Sequence, residues 1–333
     1  MFDSIFAQSI ELSYWLQSLG DWLTPVMKFF SFLGEEQFYL LVMPVILWVI
    51  DYGLGFRVGV MLLLTSGINE LFKISFQMPR PFWLDPDVAK ASSLPGGFGL
   101  PSGHSQTPLS VFGLLATAIK RGWVTLVFIL LIFLIGLSRI YLGVHFYIDV
   151  LSGWLLGGLV LIGFLAFEGR VKNWFASKSI AAKILVVFTY SIIMILAAAV
   201  IIAGAGNYQV PHDWLVNAHI AYPEDPLEPL SLNGSITTAA AMFGLAVGYF
   251  WVVEAGGYNA KSGRWWQLLL RFVIGLIGVL VLYMGLGQIF PGEEDMVSYV
   301  LRYVRYGLIG FWISGIGPRL FIRMKLAAAV ESE

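Results

Sequence analysis

The chain has 333 residues, of which 58% are hydrophobic and 12% charged, with 20 Lys+Arg against 21 Asp+Glu. A soluble globular chain carries about 25% charged residues; half that leaves too few charges to coat a water-facing surface, and the mean hydropathy is +0.79, so a soluble multidomain enzyme is excluded and an integral membrane protein is expected. The near-even charge balance excludes a strongly basic nucleic-acid surface, and the lack of cysteine excludes disulfides, thiolate metal sites and a Cys nucleophile.

In chain order, the first 20 residues hold Asp3 and Glu11 and no Lys or Arg, so no signal peptide is expected. Residues 1–36 read as an interfacial amphipathic segment, with Tyr14, Trp15 and Trp22 at headgroup depth. About nine membrane spans follow, at 37–51, 57–74, 104–119, 123–139, 147–167, 184–206, 235–254, 268–290 and 300–318. The expected fold is therefore all-α, a polytopic membrane helix bundle. Composition does not shift along it, yet every motif below lies between 73 and 149. The expected organisation is an N-terminal segment 1–36, a catalytic membrane core 37–167 and additional transmembrane helices 168–333.

Nine spans put the termini on opposite sides. One set of connections holds twelve Lys and Arg; the other holds seven, among them Lys73, Arg80 and Arg139. The positive-inside rule then places the C-terminus in the cytoplasm and these three residues on the outer face. The connection 207–233, with Asp213, Glu224, Asp225 and Glu228 and no Lys or Arg, fits an outside loop.

Three segments place polar groups where a membrane helix should be apolar: Lys73 to Arg80-Pro81, Pro101-Ser102-Gly103-His104, and Ser138-Arg139 with His145 and Asp149. Lipid-facing cations are costly, so Lys73, Arg80 and Arg139 are expected to converge inward or sit at the interface, and converging cations call for a bound dianion. Arg offers planar paired donors to phosphate and Lys a point charge. Ser102-Gly103 leads into a helix whose free N–H groups form a further phosphate cradle. His145 and Asp149, four apart on a helix, share a face about 6 Å apart along the axis. Asp149 is placed to orient one ring nitrogen of His145 and aim the other outward. His104 is a second imidazole, available as a general acid. No metal-ligand cluster is apparent, so neither metal nor cofactor is expected.

The order Lys-x6-Arg-Pro, Pro-Ser-Gly-His, Ser-Arg-x5-His-x3-Asp resembles the type 2 phosphatidic acid phosphatases, whose site is shared with lipid phosphate phosphatases, bacterial acid phosphatases, vanadium haloperoxidases and glucose-6-phosphatase. All eleven motif positions match. The resemblance covers about 37–167. It implies a metal-independent, two-step hydrolysis: His145 attacks phosphorus to give a phosphohistidine, Asp149 orients it, and His104 protonates the leaving alkoxide. Lys73, Arg80, Arg139 and the Ser102 and Gly103 amides would hold the phosphoryl oxygens. It further implies a phosphorylated lipid as substrate; with the outer-face placement from the Lys/Arg bias, the expected setting is the outer side of a bacterial plasma membrane. Arg80-Pro81-Phe82-Trp83 resembles glucose-6-phosphatase, whereas Asp149 favours the lipid phosphatases. A sugar phosphatase, a lipid phosphotransferase and a transporter are the rival readings.

Outside these motifs, Glu70 is expected to neutralise Lys73, and Gly153 and Gly157 to allow close intramolecular helix contact. His212 and His219 are expected to be solvated. Residues 92–101 read equally as a lid or a connector. Glu254 and Arg271 are expected to form an ion pair. Arg302 and Arg305 are expected either to pair with Glu293, Glu294 or Asp295 or to contact a headgroup. Oligomeric state has no signature in the sequence.

Overall fold

Long apolar runs broken by Gly, Pro and short polar turns produce an all-helical chain in the computed structural model, which describes residues 2–223, 227, 229–290 and 294–330. The helices are α1 (Phe2–Gln17), α2 (Leu23–Phe32), α3 (Glu36–Val45), α4 (Tyr52–Phe76), α5 (Pro81–Leu84), α6 (Gly103–Ile119), α7 (Gly122–Tyr141), α8 (Tyr147–Ala176), α9 (Ile180–Gly204), α10 (His212–Ala221), α11 (Asn233–Glu254), α12 (Trp265–Leu280), α13 (Leu286–Ile289), α14 (Met296–Phe311) and α15 (Gly317–Arg323). Short π-helical turns follow α3, α12 and α14. No strand forms among the described residues, only an isolated bridge between Asn259 and Ala328.

Among the described residues six stretches are long and apolar enough to cross a membrane: Tyr52–Leu84, Gly122–Tyr141, Tyr147–Ala176, Ile180–Gly204, Asn233–Glu254 and Trp265–Ile289. A seventh forms if α2 and the α3 stretch, which meet at 53°, count as one broken span. The count is below the expected nine. α6 has 17 residues, about 26 Å at 1.5 Å per residue, and the last expected span carries Arg302 and Arg305 near its start, which lowers its apolarity.

The chain packs as two units. The first comprises Met1–Phe38, Ile68–Gly163 and Ala198–Ser231. Its apolar cluster includes Phe82, Trp83, Phe98, Tyr141, Leu142 and Val144. Pro81 starts α5, where its missing N–H costs nothing. Asn217 on α10 donates to the Trp83 and Leu84 carbonyls at 3.0 and 3.2 Å, satisfying acceptors that so short a helix leaves open. Gln17 on α1 donates to the Val88 and Tyr141 carbonyls at 2.9 and 2.7 Å. Gly153 and Gly157 let α8 close on α6: a Cβ at Gly157 would lie 2.6 Å from the Gln106 carbonyl oxygen. His212 and His219 are exposed, on α10. Glu224, Asp225 and Glu228 lie outside the described residues.

The second unit comprises Tyr39–Gly67, Phe164–Ala197 and Leu232–Glu333. Gly244, Gly248 and Gly310 bring α11 and the α14 stretch into backbone contact, as small residues do where helices cross closely. Trp48 Nε1 and Tyr52 Oη donate to the Ile313 and Ser314 carbonyls of the adjoining π turn at 2.7 and 2.6 Å. The expected Glu254–Arg271 ion pair does not form. Glu254 pairs with Lys183 at 3.0 Å. Arg271 is fully buried and donates instead to the carbonyls of Trp48, Ala260, Ser262 and Leu326. Shared depth along two helices did not imply a shared azimuth.

Candidate active site

All eight sequence-predicted residues fall within the first unit. Arg80 precedes α5 in extended conformation, the backbone state proline imposes on its predecessor. The guanidinium is buried, with Nε donating to the Gly97 carbonyl at 2.5 Å, Nη2 to the Phe98 carbonyl at 2.9 Å and Nη1 to the Val144 carbonyl at 3.0 Å. Nη1 also lies 3.0 Å from His145 Nε2. Four of its five N–H groups are thereby directed, and one remains on Nη2.

His145 lies between α7 and α8. Its Nδ1 is 3.1 Å from Asp149 Oδ2. The same oxygen accepts from the Phe146 N–H at 3.0 Å, which fixes the carboxylate as well as the ring. With Nδ1 carrying its proton toward Asp149, the Nε2 lone pair faces Arg80. Burial first, then the charges of Arg80, Arg139, Lys73 and His104, hold the His145 imidazole well below its ordinary pKa of 6.5, which favours the neutral ring.

His104 is the second residue of α6. Its Nε2 is buried without a hydrogen-bond partner among the described residues, as is Arg139 Nε. Arg139 Nη1 donates to Ser31 Oγ on α2. Lys73, on the last turn of α4, is 3.9 Å from Glu70, in line with the expected neutralising role. Ser102 caps α6 by its carbonyl, which accepts from Ser105 and Gln106. Its own N–H donates to the Asp149 carbonyl at 2.9 Å. The Ser102 amide is thus committed to α8, which corrects the expected amide pair. The orphan amides at this helix start are those of Gly103 and His104.

Several residues of this site had no part in the sequence reading. Asn69 Nδ2 donates to the Pro101 carbonyl at 3.2 Å and to Gln106 Oε1 at 2.7 Å, holding the turn before α6. A Cβ at Gly103 would lie 3.1 Å from Asn69 Oδ1, so glycine there permits the approach. A Cβ at Gly34 would meet His104 Cδ2 at 3.1 Å, which places the α2–α3 break against the second histidine. Asn69 had one legible signal, a polar residue four before Lys73 and so on its face of α4. Ser31 and Gly34 had none. The 92–101 stretch is a wall rather than a free loop: Gly97 and Phe98 are bonded to Arg80, and the Gly99 N–H donates to the Met78 carbonyl at 2.9 Å.

Residues 54–173 match the PAP2 superfamily, and residues 236–329 match the PAP2 superfamily phosphatase, transmembrane extension. Mouse (Mus musculus) sphingosine-1-phosphate phosphatase 1 is 25% identical over 328 residues, covering 87% of this chain and 69% of that protein. Phosphatidylglycerophosphatase B of Bacillus subtilis (strain 168) is 31% identical over 170 residues, covering 46% of this chain and 79% of that protein. Among solved structures, the first transmembrane PAP2 type phosphatidylglycerolphosphate phosphatase from Bacillus subtilis aligns with a TM-score of 0.41 at 24% identity, over 50% of this chain and 88% of that one. The family match covers all eight residues of the constellation, and with the membrane-length helices it means that this chain belongs to the PAP2 superfamily and is a membrane-embedded phosphatase.

Proposed function

We propose that the chain removes the terminal phosphate of a lipid phosphate or lipid pyrophosphate, through a phosphohistidine on His145. The observation that carries this reading is the ordered His145: Nδ1 on Asp149, Nε2 beside Arg80, and the neutral ring favoured. In the first step Nε2 forms a bond to phosphorus as the ester P–O bond breaks. The ring becomes cationic, and Asp149 stabilises it. His104 in its protonated form, favoured by the adjacent phosphate dianion, gives the leaving alkoxide its proton. Neutral His104 then takes a proton from water, which attacks phosphorus, breaks the P–N bond and releases inorganic phosphate. Lys73, Arg80, Arg139 and the Gly103 amide hold the phosphoryl oxygens; positioning and charge stabilisation are most of what phosphoryl transfer asks of a protein.

In this reading residues 37–167 carry the chemistry, residues 1–36 support Arg139 and His104, and residues 168–333 extend the membrane body. The Lys/Arg bias supports an outer-face site and a cytoplasmic C-terminus. The likeness to mouse sphingosine-1-phosphate phosphatase 1 runs through both halves of the chain. That favours a single-chain amphiphile phosphate, with phosphatidylglycerophosphate next. The test is phosphate release by purified protein in EDTA, wild type beside His145→Ala, on sphingoid-base phosphates, phosphatidylglycerophosphate, undecaprenyl pyrophosphate and glucose 6-phosphate. Release from a lipid that survives chelation and is lost in the variant is the expected result. Turnover of glucose 6-phosphate alone, or release undiminished by His145→Ala, would overturn it.

A further inference from the structure

Within the second unit, buried or membrane-depth cations have partners on the protein. Arg57 makes a two-pronged bond to Glu168 at 2.9 and 2.8 Å, and Arg271 is saturated by carbonyls. Arg302 and Arg305, one turn apart on α14, do not follow that pattern. Neither meets a carboxylate among the described residues; Glu293 lies outside them. Asp295 is occupied at the start of α14, accepting from the Ser298 N–H at 2.7 Å. Among the described residues Arg302 makes one hydrogen bond, to Thr237 Oγ1 at 3.5 Å.

Arg305 is the more telling of the two. Its guanidinium carbon lies 4.7 Å from the Tyr283 ring centre and 5.2 Å from that of Tyr306. Its Nε is buried with no hydrogen-bond partner among the described residues. Gly287 leaves room for the head of this side chain, since a Cβ there would fall 2.9 Å from Nη2. A guanidinium stacked on rings keeps its in-plane donors for an acceptor that matches their fork, and a phosphate group is that acceptor. Val297, Val300, Val304 and Leu308 form an exposed apolar strip along α14, each about one turn from the next and with Leu308 one turn from Arg305, suited to acyl chains.

We infer that Arg302 and Arg305 form a second phosphate-binding site, which takes the headgroup phosphate of an anionic phospholipid lying along α14. None of its residues belongs to the catalytic constellation, so the site stands whether or not the proposed hydrolysis does.

The test is a thermal melt of the purified full chain in phosphatidylcholine nanodiscs, titrated in one arm with short-chain phosphatidylglycerol and in the other with inorganic phosphate. Phosphatidylglycerol should raise the melting temperature saturably. Arg302→Gln/Arg305→Gln should weaken that response by about tenfold in Kd, the scale of a lost charge-assisted bond. A response to the lipid alone assigns the headgroup. An equal response to inorganic phosphate, lost in the same variant, assigns the same phosphate chemistry to a free ion. Should the double variant fail to fold, Arg305→Lys retains the charge without the fork and is expected to bind about threefold more weakly. Equal affinity in wild type and a folded variant, or no response to either probe, overturns the inference.

Discussion

Ser31→Ala isolates what the N-terminal helices contribute to catalysis. Ser31 Oγ is the acceptor for Arg139 Nη1, and both side chains are buried. Arg139 Nε already lacks a partner, so the substitution leaves a buried guanidinium with no side-chain hydrogen bond among the described residues. A hydrogen bond to a charged group contributes about 1.5–3 kcal/mol. If that bond positions Arg139 for the phosphoryl group, its loss lowers kcat/KM on the order of 10- to 100-fold, at about 1.4 kcal/mol per decade. The assay is phosphate release in four proteins: wild type, Ser31→Ala, Arg139→Ala and the double variant. In the Arg139→Ala background the serine has nothing left to position, so adding Ser31→Ala should change kcat/KM by less than about twofold. A folded Ser31→Ala with wild-type activity, or an equal loss in both backgrounds, would refute the reasoning.

Asp149→Asn keeps the size of the group but removes the charge that stabilises the His145 cation, and kcat should fall on the order of a thousandfold, with activity in EDTA equal to activity without it. Gly157→Ala forces a methyl into the Gln106 carbonyl and should lower stability by about 1–3 kcal/mol, read as a lower melting temperature. The depressed pKa of His145 means that this ring binds a proton in the unfolded chain and not in the folded one just below pH 6.5, so the His145 contribution to stability, read as melting temperature, should rise with pH up to about 6.5 and then level. His145→Gln should flatten that rise by at most one proton, about 1.4 kcal/mol per pH unit, and an unchanged slope would show the ring to be protonated in the fold.

What the sequence made legible was chemistry that breaks the membrane rule. Lys73, Arg80, Arg139 and the two histidines stand out because apolar residues belong at their depth; the expected His145–Asp149 contact forms, though not along a helix face, because His145 lies in the bend before α8 begins at Tyr147. Ser31 did not stand out. A serine in a membrane helix ordinarily satisfies itself on a neighbouring carbonyl, as Ser13, Ser110 and Ser191 do here. Gly34 was silent for a related reason: glycine is frequent throughout this chain, and only the contact with His104 distinguishes it. The Ser102 amide was assigned to the anion because helix starts offer free N–H groups, and the rule could not see the Asp149 carbonyl arriving from α8. Periodicity reports depth and face along one helix; it does not report which face of a second helix turns to meet it.

Hydrogen-bond saturation separates the buried arginines where charge alone does not. Arg271 meets carbonyls on every side, which makes it a clamp for the segment around Leu326, and no donor is left for a ligand. Arg80 is intermediate: three carbonyls fix its plane, while one nitrogen stays beside His145 and one N–H remains uncommitted. Among the described residues Arg139 and Arg305 keep a buried Nε unmatched. An unmatched buried donor costs folding free energy that a bound acceptor returns, so such a donor marks a binding site where a saturated one marks structure. Arg→Lys separates the classes. At Arg271 a single ammonium cannot span four carbonyls, and the fold should weaken whatever ligand is present. At Arg139 the fold should survive, and the loss should appear in kcat/KM. A stable, normally folded Arg271→Lys would break the distinction.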